Sequence, residues 1–359
     1  MNYEINAMPV GGYVRDTLMS LEPKDIDYVV LGSTPKEMIA QGFKQVGADF
    51  PVFLHPGTGD EYALARTERK VAAGYQGFVT DHSPTVMLYD DLKRRDLTIN
   101  AMAFSNEGDG FKVIDYFGGQ EDIKNKILRH TSEAFKEDPV RILRVARFAA
   151  RYNFDVHHTT EKLMSEMVTN GEFDSLVAER VWAEFEKGLM EKYFWQIWCV
   201  LEDCGALEHL PLYNQADYSS FEAAADAGEP LLIRCAAMFS LFSQTVFTNN
   251  RIPSDIAELA LLTDKFEIFA NYVHDKTITR QMALRFYESV DLFRRPERFA
   301  LALKVLKYRD VKFPIAVEYM VQHAMSVNAG EIALTCSDPL RIKEAIALAR
   351  IVAMGGINV

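Results

Sequence analysis

The first hundred or so residues alternate short apolar runs with polar punctuation. "YEINAMPV" (3–10), "DIDYVVLG" (25–32), "FPVFLHP" (50–56), "DEYALART" (60–67) and "FKVIDYF" (111–117) carry the β-branched and aromatic content of strands, bounded by Gly, Pro or Asp. "STPKEMIAQGF" starts as a helix, with Ser33 or Thr34 as cap and Pro35 in the first turn. Residues 68–80, "ERKVAAGYQGFVT", combine charge with glycine and read as a mobile loop. From about residue 120 the pattern turns helical almost everywhere. The prediction is an α+β chain: a head with a small mixed sheet, then a long helical remainder jointed near 210–230, where "PLYNQADYSSFEAAADAGEP" is polar and rich in turn residues.

One helix stands out. In "EDPVRILRVARFAARY" Pro139 suits the first helical position and makes Asp138 a natural N-cap, so a helix is predicted over 138–152. At 100° per residue Ile142, Leu143, Val145, Ala146, Ala149 and Ala150 share one arc, and Arg141, Arg144, Arg147 and Arg151 share the other. Such a stripe suits a solvated surface helix, or the recognition of phosphates and bases by planar, permanently charged guanidinium groups.

Bulk properties narrow the choices. The chain has 359 residues, 48% of them apolar, enough for two or three ordinary domains. No run approaches the eighteen or so uncharged apolar residues of a membrane span, and "MNYEINAMPV" has neither a basic n-region nor a long apolar h-region. The four cysteines, Cys199, Cys204, Cys235 and Cys336, lack CxxC spacing and read as reduced thiols, so a cytoplasmic protein is expected. A net charge of −12 argues against a broadly basic nucleic-acid coat but leaves room for a local basic groove.

The candidate chemistry begins with Asp25 and Asp27. On a strand they would face the same way, with Cα atoms about 6.5–7 Å apart. Two carboxylates on one face repel unless cations lie between them, and Mg²⁺ is held by a few carboxylates while keeping positions for water and phosphate. Two such ions about 3.5–4 Å apart can clamp the oxygens of a phosphoryl displacement. An isolated DxD is equally at home at an exposed strand start. Upstream, Gly11 and Gly12 allow close approach of a phosphate, "YVRDTLM" opens a helix whose N-terminus favours an anion, and Arg15 adds a charged donor.

"VGGYVRD…DIDYVV" resembles the opening motif of the polymerase-β-type nucleotidyltransferases, and "FPVFLHPGTGDEYALARTERK…DDLKRRDLTINAMAF" is similar to the class II tRNA nucleotidyltransferase and poly(A) polymerase family, above all its CCA-adding members. The likeness runs through roughly residues 8–210. It implies a catalytic head (1–136), a helical neck (137–212) and a helical body and tail (213–359) that grips tRNA. In that family Asp25 and Asp27 would hold Mg²⁺, Gly12 and Arg15 would orient the triphosphate, and Arg95 would assist, with Asp96 and Asn100 near the ribose. Glu137-Asp138-x-x-Arg141 matches the EDxxR motif, in which Asp and Arg read CTP or ATP in place of a template. Arg144 and Arg147 match positions that contact the nucleotide, and "AERVWAEFEKGL" (Glu179, Arg180, Glu184) would support that helix. The 69–77 loop would take part in switching from C to A addition, and Glu61 is a candidate third carboxylate.

The likeness weakens toward the C-terminus. Relatives often carry an HD-type phosphohydrolase domain there, yet Phe239-Ser240 stand where the His-Asp doublet would be, and His274 and His323 lack partners at ligand spacing. A degenerate scaffold is expected, with "RRPERFALALKVLKYRDVK" (294–312) as the basic candidate for the tRNA elbow. The resemblance implies addition of CCA to tRNA 3′ ends, with a poly(A) polymerase, an A- or CC-adding specialist, or a silent tRNA-binding scaffold as alternatives.

Overall fold

The computed structural model describes residues 5–46, 52–70, 78–107, 110–274 and 277–355. Contacts divide the chain into two compact units, Met1–Pro211 and Leu212–Val359.

In the first unit β1 (Asn6–Val10), α1 (Gly12–Leu18), β2 (Asp27–Leu31), α2 (Pro35–Ala40), β3 (Lys44–Val46), β4 (Val52–Leu54) and β5 (Glu61–Leu64) come first. They are followed by β6 (Thr67–Lys70), β7 (Phe78–Asp81), α3 (Leu88–Lys93), β8 (Met102–Glu107), β9 (Gly110–Asp115) and α4 (Gly119–Asn125). Seven strands form one mixed sheet in the order β3-β4-β5-β2-β1-β8-β9, in which only β2 and β5 run parallel. The register puts Val10 beside both Asp27 and Ala103, and Asp27 beside Glu61, so strand ends from four segments meet at one edge of the sheet. Alternation along these strands then buries the two faces. Val10, Val29 and Ala103 pack with Leu88 and Leu92 of α3, and Met102 and Phe104 pack with Val14 of α1.

All five expected strand segments are present, and the cap of α2 is Thr34 in a capping box with Glu37. Three expectations need correction. Residues 68–80 are not a loop throughout, because β6 and β7 pair antiparallel from Thr67↔Asp81 to Lys70↔Phe78; the rest of the expected switch loop, 71–77, lies outside the described residues. β3 and β8 had not been expected, although β8 is a central strand. Finally, β2 begins at Asp27, which leaves Asp25 in the exposed segment leading into the strand.

Beside short 3-10 turns and the parallel strand pair Ile127–Leu128 and Asp155–Val156, the unit continues with the α-helices α5 (Val140–Tyr152), α6 (His158–Thr169), α7 (Ala178–Gly188) and α8 (Gln196–Asp203). α5 starts two residues later than expected, with Pro139 as its N-cap residue, but the Asp138 carboxylate still accepts from the Val140 N–H at 3.2 Å. Its predicted apolar arc is buried throughout. The opposite arc is not solvated either: Arg141 is buried and Arg144, Arg147 and Arg151 are half-buried, because each guanidinium meets a specific partner within the unit.

The second unit is helical in its described residues and is built around Phe266, Phe286, Phe299 and Phe313. The segment expected to be a basic tRNA strip forms a helix over Pro296–Tyr308 that buries Phe299, Ala302, Val305 and Leu306. Arg309, just beyond, is only 3% exposed and donates to Asp264 (2.7 Å), Glu267 (3.1 Å) and the carbonyls of Ala236, Ala237 and Phe239. Arg294 and Arg295 remain exposed. Among the described residues no helix is long and apolar enough to cross a membrane.

Candidate active site

The edge of the sheet where these strand ends meet faces a cleft of about 720 Å³, within the usual ~300–1,000 Å³ of small-molecule sites. Its lining joins the head (Gly11, Gly12, Arg15, Asp27, Glu61, Asp91, Arg95, Asp96) to α5 and α7 (Arg141, Arg144, Arg180, Glu184) and to Asp138. Residues scattered over more than 170 positions therefore converge on one space.

Gly11 connects β1 to α1. Its φ of +68° with ψ of −122° lies where an L-residue is strained, and a Cβ there would sit 2.8 Å from Arg95 Nη1. Gly12 is less constrained, since its Cβ would meet only Arg15 Nη2 at 3.5 Å. Gly11→Ala is expected to cost about 1–3 kcal/mol of stability from backbone strain and displacement of Arg95, measured by thermal unfolding. A wild-type melting curve would remove this close packing from the account.

Asp27 lies in the cleft, beside Glu61 across the parallel strand pair. Neither Asp25 nor Asp27 has an ion pair or side-chain hydrogen bond among the described residues. Partial desolvation pushes the Asp27 carboxyl above the usual range; Arg95 opposes this and the Asp25 charge reinforces it. A carboxyl raised by burial and by a neighbouring acid fits a site that draws in a divalent metal ion. Among the described residues no three His, Cys, Asp or Glu side chains converge as a ligand set. Two carboxylates with positions left for phosphate and water match the sparse protein ligation that Mg²⁺ accepts.

The arginines are organised by buried acids. Asp91 is 1% exposed and accepts from Arg94 Nη2 (2.5 Å), Arg95 Nη2 (3.2 Å) and the Arg66 N–H (3.3 Å). Asp96 accepts from Arg144 Nε (2.8 Å), Asn100 Nδ2 (3.0 Å) and the Leu97 N–H (2.8 Å). Burial alone would raise the Asp96 carboxyl, but Arg144, Asn100 and Arg141 hold it far below its ordinary range. Asn100 Oδ1 in turn accepts from Arg15, whose Nε donates to Asp16 at 2.8 Å. The same guanidinium lies over the rings of Phe148 and Tyr152 at 5.3 and 5.2 Å. Arg15 is thus a fixed cation at the back of the cleft.

The structure arranges the EDxxR segment differently from the sequence expectation. Asp138 Oδ1 and Oδ2 are taken by Arg180 Nη1 (2.9 Å) and Nη2 (2.7 Å). Arg141 lines the cleft but donates to the carbonyls of Ala134 (2.8 Å) and Arg94 (2.7 Å), tying α5 to the turn after α3. Arg147 is not among the cleft-lining residues; it pairs with Glu184 at 2.5 Å and covers the Phe148 ring at 4.4 Å. Asp91, Phe148 and Arg180 are site residues to which the sequence reading assigned no nucleotide-facing role. Arg180 and Glu184 recur four positions apart, a spacing that puts both on one face of α7.

Comparisons with known proteins bear on the family and the fold. Residues 7–129 match the family described as "Poly A polymerase head domain", and residues 153–216 match "Probable RNA and SrmB- binding site of polymerase A". A "Multifunctional CCA protein" of Chromobacterium violaceum is 42% identical over 95% of this chain and 95% of its own length. One of Neisseria meningitidis is 44% identical over 91% and 90%. The chain belongs to the multifunctional CCA protein family. A solved CCA-adding enzyme of Thermotoga maritima, complexed with tRNA, shares the fold at 21% identity, with a TM-score of 0.68 over 99% of this chain and 88% of that one. Nucleotidyltransferases of this kind generally use divalent metal ions. The alignment with the Chromobacterium protein spans 391 positions against 359 residues here, so this chain lacks internal stretches that its relative contains.

Proposed function

We propose that this chain adds CCA to the 3′ ends of tRNA, using CTP and ATP without a nucleic-acid template and releasing pyrophosphate. The observation that carries the reading is the single cleft in which Asp27, Gly11, Gly12 and Arg95 of the head face Asp138 and Arg144. Membership of the multifunctional CCA protein family supports it.

In this reading Asp25 and Asp27 hold Mg²⁺, which when bound lowers the pKa of the primer 3′-hydroxyl and neutralises charge on the departing pyrophosphate. Arg95 and the Gly11-Gly12 backbone orient the triphosphate, and Arg15 supplies a fixed positive charge behind it. Asp96 and Asn100, locked by Arg144 and Arg15, present a rigid polar surface toward the ribose. Asp138 reads the base, while Arg141 and Arg147 set the backbone and flank of α5. Preorganisation is the chain's main contribution, because buried arginines already paired with acids need no reorganisation as charge develops. The primer hydroxyl oxygen bonds the α-phosphorus, the bond to pyrophosphate breaks, and the hydroxyl proton leaves. The exposed Arg294 and Arg295 of the second unit are proposed contacts for the tRNA body, and the cytoplasm is the proposed location, which reduced thiols suit.

One assay tests the reading. The protein is given Mg²⁺ and tRNA ending before CCA, after C or after CC, with CTP and ATP separately and together. Ordered C, C, A addition that stops is expected. Unbounded A tails would instead indicate a poly(A) polymerase, and growth that halts after CC or starts only from CC would indicate a specialist. No incorporation by a folded, tRNA-binding sample would sink the enzymatic reading.

A further inference from the structure

Asp138 and Arg180 meet through two parallel bonds, one to each carboxylate oxygen, and both side chains line the cleft. Such a fork fixes the plane of a carboxylate as well as its charge. The pair is partly desolvated, with the two side chains 28% and 23% exposed, which strengthens the interaction relative to open water. The other arginines facing this space have separate commitments: Arg141 to two backbone carbonyls and Arg144 to Asp96.

We propose that Arg180 is a positioning residue for base selection, whose fork holds the plane of the Asp138 carboxylate so that it accepts a hydrogen bond from the amino group that cytosine and adenine share. Cytosine N4 and adenine N6 are donors, whereas uracil and guanine present a carbonyl oxygen at the corresponding place. An ionised carboxylate only accepts, so it pairs with the first two and confronts the others with an unpaired acceptor. Each Asp138 oxygen can accept more than one hydrogen bond, so the Arg180 fork and a base amino group can be bound together. Without the fork, the carboxylate is free to turn out of the plane of the base. This inference rests on the reading of Asp138 as the base-selecting group.

The alternative is that Arg180 merely fastens α7 to the start of α5, as Glu184 does through Arg147. Single-nucleotide incorporation separates the two, with CTP against UTP on tRNA ending before CCA and ATP against GTP on tRNA ending in CC. For Arg180→Gln both kcat/KM ratios are expected to fall at least tenfold, mostly through a higher KM for CTP and ATP. Arg180→Lys, which keeps the charge and loses the fork, is expected to give intermediate ratios. Asp138→Asn is the control for the underlying reading, and its ratios are expected to collapse. Wild-type ratios in folded Arg180→Gln beside a collapse in Asp138→Asn would overturn the proposal alone. Unchanged ratios in Asp138→Asn would overturn base reading by Asp138 and this proposal with it. If Arg180→Gln does not fold by circular dichroism, Arg180→Lys decides, and wild-type ratios there overturn the role of the fork.

Discussion

Asp27→Ala is expected to lower nucleotide incorporation by about 10³-fold or more while leaving tRNA binding intact. A metal ion at transferring phosphoryl oxygens contributes several kcal/mol of transition-state stabilisation, and each ~1.4 kcal/mol is tenfold in rate. Asp27 is the carboxylate placed in the cleft, and Asp25 its neighbour outside the strand. Stability should move the other way. Because the folded-state pKa of Asp27 is raised by desolvation and by Asp25, the ionised form disfavours folding as pH rises through that pKa. Alanine removes this cost, so at pH 7 to 8 the variant should melt at or slightly above the wild-type temperature. A stabilised but inactive variant is the signature of acids retained for chemistry. Substantial activity in both Asp25→Ala and Asp27→Ala would refute the metal assignment.

Arg309→Ala carries the largest expected effect on stability, about 3–5 kcal/mol in the second unit. The guanidinium is 3% exposed and satisfies two carboxylates and three carbonyl oxygens, all of which lose their charged donor together. Burial already holds Asp264 above the ordinary carboxylate range against the pull of Arg309. With Arg309 gone that carboxyl rises further, so the variant should lose more stability at pH 8 than at pH 5, where Asp264 can be protonated. Amide hydrogen exchange over 231–238 and 254–273 reads the effect locally, and wild-type protection at both pH values would exclude it. Arg309 also bonds the Phe239 carbonyl, so its loss would reach that segment as well.

Much of this site was legible in the chain because its signals are local. Gly11 stands at a turn that only glycine enters easily, and Asp27 opens an apolar strand. The arc of Ile142 through Ala150 predicted a buried helix face. What failed was also physical. β8 was not legible because "MAFSNE" is short and its strand character depends on pairing with β1 and β9. The arginine stripe of α5 looked like a solvent or ligand face, since a sequence shows charges but not the acids that meet them from 37 residues or more away.

By itself the sequence determined the kind of elements, the position of the acids at a strand start, and the family likeness, since these follow from periodicity and from short motifs. The tertiary structure alone decided which arginine serves which acid. Asp138 meets Arg180, 42 residues on, rather than Arg141 three residues on, because Arg141 points its guanidinium at the carbonyls of Ala134 and Arg94. Pairing among long, flexible cations is set by which buried acceptors lack another donor, and that is a property of the packed chain.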